Sequence, residues 1–162
     1  MTERLSPTQA TLINRAAILE SHRADSLRMA RRITGNQASA EDAVQNAFLR
    51  LLDSPQFPTL SPDLIRYVRR TVANCAIDVL RSAKPVSELP ESLPNTENPQ
   101  LDMEIEQTLG RLSPDHRAVI ALHLGEGYSY REIADALQIP MGTVASRLNQ
   151  ARVEFKKIWG ES

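Results

Sequence analysis

Apolar residues along this chain return every third or fourth position. Ala40, Ala43, Val44, Ala47, Phe48 and Leu51 form one such series, and Leu64, Ile65, Val68, Val72, Cys75, Ala76 and Val79 a second. Val144, Leu148, Ala151 and Phe155 form a third. At about 100° per residue each series makes one stripe of a helix. No segment sustains the apolar–polar alternation of a strand, so the pattern predicts an all-α fold. Ser6-Pro7 opens a helical segment ending near Gly35, with a break around Glu20 to Arg23. Ser39, with Asp42 three residues on, is predicted to cap the next helix, and Ser61-Pro62 to start one reaching Ala83. Beyond these, helices are expected over Leu101 to Leu109, from Ser113-Pro114 to the "GEG" at Gly125, from a Ser129/Glu132 capping box to Leu137, and after the turn "QIPM". Between the two halves, Pro85, Pro90, Pro94 and Pro99 interrupt any helix, and Glu88, Glu91 and Glu97 make the segment acidic. The expected organisation is a helical domain over 1–84, a flexible linker over 85–100 and a second helical domain over 101–162.

The polar sides of these helices need a purpose. A short helix, a tight turn and a second helix near the C-terminus make a helix-turn-helix, with Ile133, Leu137, Val144 and Leu148 as its small core. Thr143, Ser146, Arg147, Asn149 and Gln150 lie outward near the start of the second helix. There, amides can pair with adenine and arginine with guanine. On the helix from Asp63 to Ala83, Arg66, Arg70, Asn74, Arg81 and the adjoining Lys84 form a basic stripe with one amide, suited to a phosphate backbone and an unpaired base. The proline-rich loop before it carries Phe57. A third face, Asp42, Gln45, Asn46 and Leu49, has an apolar centre in an acidic and amide surround and suits a protein partner. Each face has the same plain alternative, a solvated helix surface.

Composition narrows the choices. The 162 residues carry a net charge of −1, too little positive charge for strong unaided binding to a polyanion. Nucleic-acid binding must therefore rest on local faces or on a partner. No apolar run is long enough to span a membrane, and the N-terminus lacks the apolar core of a secretory signal, so a cytoplasmic location is expected. The single Cys75 is expected to be buried and inert, and no Cys or His cluster suggests a metal or cofactor.

Three segments in order resemble a known family. "AEDAVQNAFLRL" is similar to the docking helix of region 2 in the extracytoplasmic-function sigma factors. "YVRRTVANCAIDVLRSAK" resembles their minus-ten helix, with its N-x-x-x-D-x-x-R pattern, and "LSPDHRAVIALHLGEGYSYREIADALQIPMGTVASRLNQAR" resembles region 4. The resemblance implies a bacterial initiation factor that keeps regions 2 and 4 alone. It implies that Asp42, Gln45, Asn46 and Arg50 face the clamp helices of the largest polymerase subunit, and that region 4 meets the flap of the second-largest. It places Asn74, Asp78 and Arg81 beside the minus-ten pocket, with the Phe57 loop helping to hold an extruded base. It aligns His123, Ser146, Arg147, Asn149 and Gln150 with the minus-thirty-five side. An anti-sigma protein is a further implied partner. Two departures, Ala145 where a basic residue is frequent and the sparse charge of "RSAK", lower the charge offered to DNA.

Separating duplex DNA gives up about 1.4 kcal/mol of stacking per step, more over several steps than a few arginines recover. The implied mechanism draws that energy from polymerase and couples melting to capture of a flipped base. The rival reading is an autonomous dimeric helix-turn-helix regulator, which leaves the Asn74 stripe and the Leu49 face without work. An enzyme is not expected, because His22, His116 and His123 belong to no nucleophile, metal or paired-carboxylate arrangement.

Overall fold

Ser6, Ser113 and Ser129 each cap a helix, and Gly35 ends one. In the computed structural model, which describes residues 4–58, 61–82 and 99–161, the Ser6 hydroxyl accepts from the Gln9 N–H while the Gln9 side chain accepts from the Ser6 N–H. This closes a capping box on α1 (Pro7–Ser21). His22 interrupts the chain before α2 (Arg23–Thr34), at the break the sequence predicts. Gly35 then ends α2 in the left-handed region, at φ 83°.

The start of α3 (Gln37–Asp53) differs from expectation. Asn36 is the cap, accepting from the Ser39 N–H at 2.7 Å, so Ser39 lies inside the first turn and the Ser39/Asp42 box does not form. Gly35 turns the chain so abruptly that the extended Asn36, not Ser39, is the first residue able to reach the free amides. α4 (Ser61–Ser82), α5 (Pro99–Arg111), α6 (Pro114–Ile120), α7 (Tyr130–Leu137) and α8 (Met141–Gly160) follow. A wider π-type turn over Ala121–Gly125 extends α6. The described residues include no strand. The linker predicted at 85–100 lies outside the described residues except for its last two positions, which begin α5; Lys84 lies outside them as well.

The first core is alanine-rich. All six apolar positions predicted for α3 are buried, and they face Leu64, Val68, Val72, Cys75 and Ala76 of α4 and Met29, Ala30 and Ile33 of α2. Small side chains let these helices pack closely. Ile65, expected inside, is 43% exposed, and Val79 is half-buried, while Ala73 and Ile77 are buried instead. Contact with α7 as well as α2 and α3 widens the buried arc of α4 to include Ala73 and Ile77, while Ile65 lies near the start of the helix. In the second half, Val144, Leu148, Ala151 and Ile158 of α8 close over Val119, Leu122 and Ile133.

The two halves share one connected core, with α2 lying against α6 and the π-type turn. Arg117 of α6 reaches the C-terminal end of α2 and donates to the Thr34 carbonyl at 3.4 Å. A Cβ on Gly35 would lie 2.2 Å from the Arg117 guanidinium carbon, so glycine there serves both the left-handed turn and the close approach. Burial pushes the Arg117 pKa below its ordinary value, and the carbonyl end of α2 favours the cation that sits there.

Candidate nucleic-acid and polymerase interfaces

The exposed row on α4 borders a cleft. Arg70, Asn74, Asp78 and Arg81 line one wall, and Glu132, Asp135 and Ala136 of α7, with Gln138 just past it, line the other. Arg66 and Asn74 are exposed, as the stripe predicts. The arginines around Asn74 are engaged with carboxylates. Arg70 donates to Glu132 and stacks its guanidinium 4.1 Å from the Tyr128 ring centre. Arg81 lies 3.8 Å from Asp78, which Arg50 of α3 also approaches at 3.6 Å. Glu132 has two roles, since it also completes the capping box of α7 with Ser129. The Arg70 hydrogen bond, aided by the Ser129 backbone, holds the Glu132 carboxyl below its ordinary value of 4.5. Burial pushes the Tyr128 phenol up to about 12, so it stays neutral beneath Arg70.

Beside Arg70 on α4, Arg69 joins three elements. Its guanidinium grips Glu126 in a two-bond fork at 3.1 and 2.8 Å and donates to Asp25 of α2. Desolvation works against its charge, but the Glu126 hydrogen bond and the Glu126 and Asp25 charges together raise its pKa. A forked arginine–carboxylate pair with one carboxylate nearly enclosed is a directional contact between the halves. Arg32 adds a weaker link to Asp102 at 3.5 Å.

Phe57 is half-buried on the loop after α3. The Arg15 guanidinium of α1 lies 4.7 Å from the centre of its ring, and the Ser54 hydroxyl is 2.9 Å from the Tyr67 hydroxyl of α4.

On α8 the row is open. Ser146, Asn149 and Gln150 are exposed, while Thr143 and Arg147 are half-buried. Arg147 lies 3.6 Å from Asp115. The His116 ring spans 2.6 Å to Glu154 and 3.3 Å to the Gln150 side-chain oxygen, so α6 buttresses one of the predicted readers. His123 is placed differently from the other upstream candidates. Its Nδ1–H donates to the Tyr128 carbonyl at 2.7 Å, and its ring meets Tyr130 edge-on, inside the turn that joins α6 to α7. On α3, Asp42, Gln45, Asn46, Leu49 and Arg50 are all exposed, with Leu49 56% accessible at the centre.

The sequence does not mark Arg15, Glu126, Glu132 or His116 as site residues. Their partners stand far away in the chain, and no local spacing signals them. Among the described residues, no group of His, Cys, Asp and Glu could hold a metal ion, and no helix is long and apolar enough to cross a membrane.

A helix-turn-helix module joined to a helical module with a polar row of its own defines a two-part nucleic-acid-binding protein. Comparison with known proteins specifies it further. Residues 18–86 match the family model for sigma-70 region 2, and residues 102–155 the model for sigma-70 region 4. The chain is 40% identical over 149 residues to the ECF RNA polymerase sigma factor SigL of Mycobacterium tuberculosis, covering 83% of this chain and 82% of that one. It is 30% identical over 162 residues to the ECF sigma factor SigE of Mycolicibacterium smegmatis, covering 91% of this chain and 62% of the relative. The chain belongs to the ECF group of RNA polymerase sigma factors. The fold is shared with the sigma factor RpoE of Bartonella quintana, solved in complex with the anti-sigma factor NepR. That match has a TM-score of 0.53 and 19% identity and covers 88% of this chain and 96% of that one. It is also similar to the extracytoplasmic-function sigma factor SigJ of M. tuberculosis, with a TM-score of 0.56 and 25% identity over 86% of this chain and 52% of that one.

Proposed function

We propose that this sigma factor divides promoter recognition between the α8 and α4 rows and docks on core polymerase through the α3 face. Ser146, Asn149 and Gln150 read the upstream duplex in the major groove, with Thr143 and Arg147 at its backbone. Asn74 meets an unpaired base on the downstream side, flanked by Arg66, Arg70, Asp78, Arg81 and Lys84, with Phe57 near the pocket. Asp42, Gln45, Asn46, Leu49 and Arg50 contact the clamp helices. The observation that carries this reading is that one chain presents two polar rows, one on a helix-turn-helix and one around an exposed amide on α4. A dimeric regulator needs only the first.

In the arrangement described, α7 stands across the cleft from Asn74, and Glu132 occupies Arg70. A nucleic-acid strand must displace this carboxylate before it can follow the α4 row, so downstream binding requires the halves to part. Polymerase supplies the drive, by holding the two modules on separate sites. The chain itself performs no covalent chemistry and works in the cytoplasm with polymerase. An anti-sigma protein, such as the one bound to the B. quintana relative, is a partner of the right class.

Run-off transcription with purified bacterial core polymerase tests the reading. Adding the protein should produce a discrete transcript from its own upstream region. A symmetric footprint obtained without polymerase, with no transcript on adding it, would favour the dimeric regulator.

A further inference from the structure

Of the described side chains outside the two rows, Arg15 makes the most telling set of contacts. It lies on α1, a helix whose one buried residue is Leu19 and whose Leu12 and Ile13 remain exposed. From there its Nη1 donates to the Leu52 carbonyl at 2.9 Å and to the Ser54 carbonyl at 2.8 Å. These carbonyls stand at the C-terminal end of α3, where helix carbonyls lack intrahelical partners and a cation is favoured. The same guanidinium covers Phe57. On the other side, the Ser54 hydroxyl accepts from the Gln56 N–H and contacts Tyr67, so the chain leaving α3 is held from α1 and from α4 together.

The geometry points to Arg15 as a positioning residue for promoter opening, one that sets the exit direction of the α3–α4 loop and holds Phe57 in a single orientation for base capture. This rests on the role given to Phe57 above. Arg15 acts through the loop rather than by touching DNA. Removing it frees two carbonyls and one face of the ring while leaving the α3 docking face and the α8 row in place. Nothing in the apolar pattern of α1 marks this position, because the side chain it serves lies more than forty residues away.

The test combines amide hydrogen exchange on the free chain with promoter opening by the reconstituted holoenzyme, for Arg15→Ala, Arg15→Lys, Phe57→Ala and the Arg15→Ala/Phe57→Ala double variant. Hydrogen bonds to a charged group predict that Arg15→Ala speeds exchange at Gln56, whose N–H is held by the Ser54 hydroxyl, by roughly tenfold, with the middle of α3 unchanged. Opening, read by permanganate on the non-template strand, should slow by roughly tenfold, with core affinity, upstream-duplex affinity and salt dependence within about twofold. Arg15→Lys should restore loop protection, because an ammonium can reach both carbonyls. The double variant should open no more slowly than Phe57→Ala alone. Slow opening by Phe57→Ala, combined with wild-type opening by Arg15→Ala or with additive losses in the double variant, overturns the role of Arg15 and leaves that of Phe57 standing. Wild-type opening by Phe57→Ala overturns both.

Discussion

The polar rows on α4 and α8 carry similar chemistry in opposite states. On α4, Arg70 is held by Glu132 of α7 and Arg81 lies near Asp78 of its own helix, while α7 stands across from Asn74. On α8, Ser146, Asn149 and Gln150 face outward, and the one arginine of the row is held by Asp115 at its edge. Arginine and amide content therefore does not tell whether a face is ready to bind. A row that reads duplex DNA can stay open at little cost, since it meets its ligand intact. A row for single-stranded DNA, left bare, would offer a basic groove to any unpaired nucleic acid. On the reading proposed above, the Arg70–Glu132 pair and the facing α7 restrict its use to the state in which the halves have separated.

The largest expected effect tests this cover directly. Glu126→Gln leaves Arg69 with Asp25 as its charged partner. Breaking one side of a buried ion pair costs about 3–5 kcal/mol, and less where the pair is partly exposed. Fluorescence anisotropy on the free chain should show affinity for a single-stranded downstream-element oligonucleotide rising by roughly tenfold or more, with upstream-duplex affinity within about twofold. Equal changes at both ligands would erase the distinction between the rows.

Gln150→Ala should act on the open row alone, costing about 1–3 kcal/mol at one or two adjacent upstream base pairs. A randomised upstream library returning the wild-type preference for both Gln150→Ala and Asn149→Ala would remove α8 from base reading. Asn74→Ala should act on the covered row alone, slowing opening by about threefold to tenfold while closed-complex affinity holds, as expected for one neutral hydrogen bond. Permanganate footprinting against filter binding separates the two steps, and parallel losses in both would count against the assignment.

The smallest effect is one of pH. Because Arg70 and the Ser129 backbone hold the Glu132 carboxyl below its ordinary value, its contribution to closure is fully present above about pH 4.5 and is lost as pH falls through the depressed value. Single-strand affinity of wild type and Glu132→Gln should therefore differ by a constant, modest factor from pH 8 to pH 5 and converge below that range. Convergence already near neutral pH would assign the closure to other groups.

How far these features could be read beforehand depended on their range. The α3 stripe is legible in full because its six inward positions obey the helical period, and all six are buried. The Ser129/Glu132 box and the helix-turn-helix core were legible for the same local reason. Ile65 is exposed although its angle falls within the buried stripe, because it lies near the start of α4, and an end effect of this kind is not written in the period. The cap of α3 was misplaced because the turn at Gly35 moved the first free amides toward Asn36. The resemblance aligns His123 with the upstream side; the bond from its Nδ1–H to the Tyr128 carbonyl is a detail that spacing does not signal.

By itself, the sequence determined which segments are helical, most of the apolar side of each and where polar rows lie, since all three follow from spacing within a few residues. The tertiary structure decided the state of those rows. Arg69 meets Glu126 57 positions away, Arg70 meets Glu132 62 positions away, and Arg15 reaches the Leu52 carbonyl 37 positions away. A side chain's direction is set by the backbone period of its own helix, but its partner is set by how distant helices pack, and that packing has no local signature.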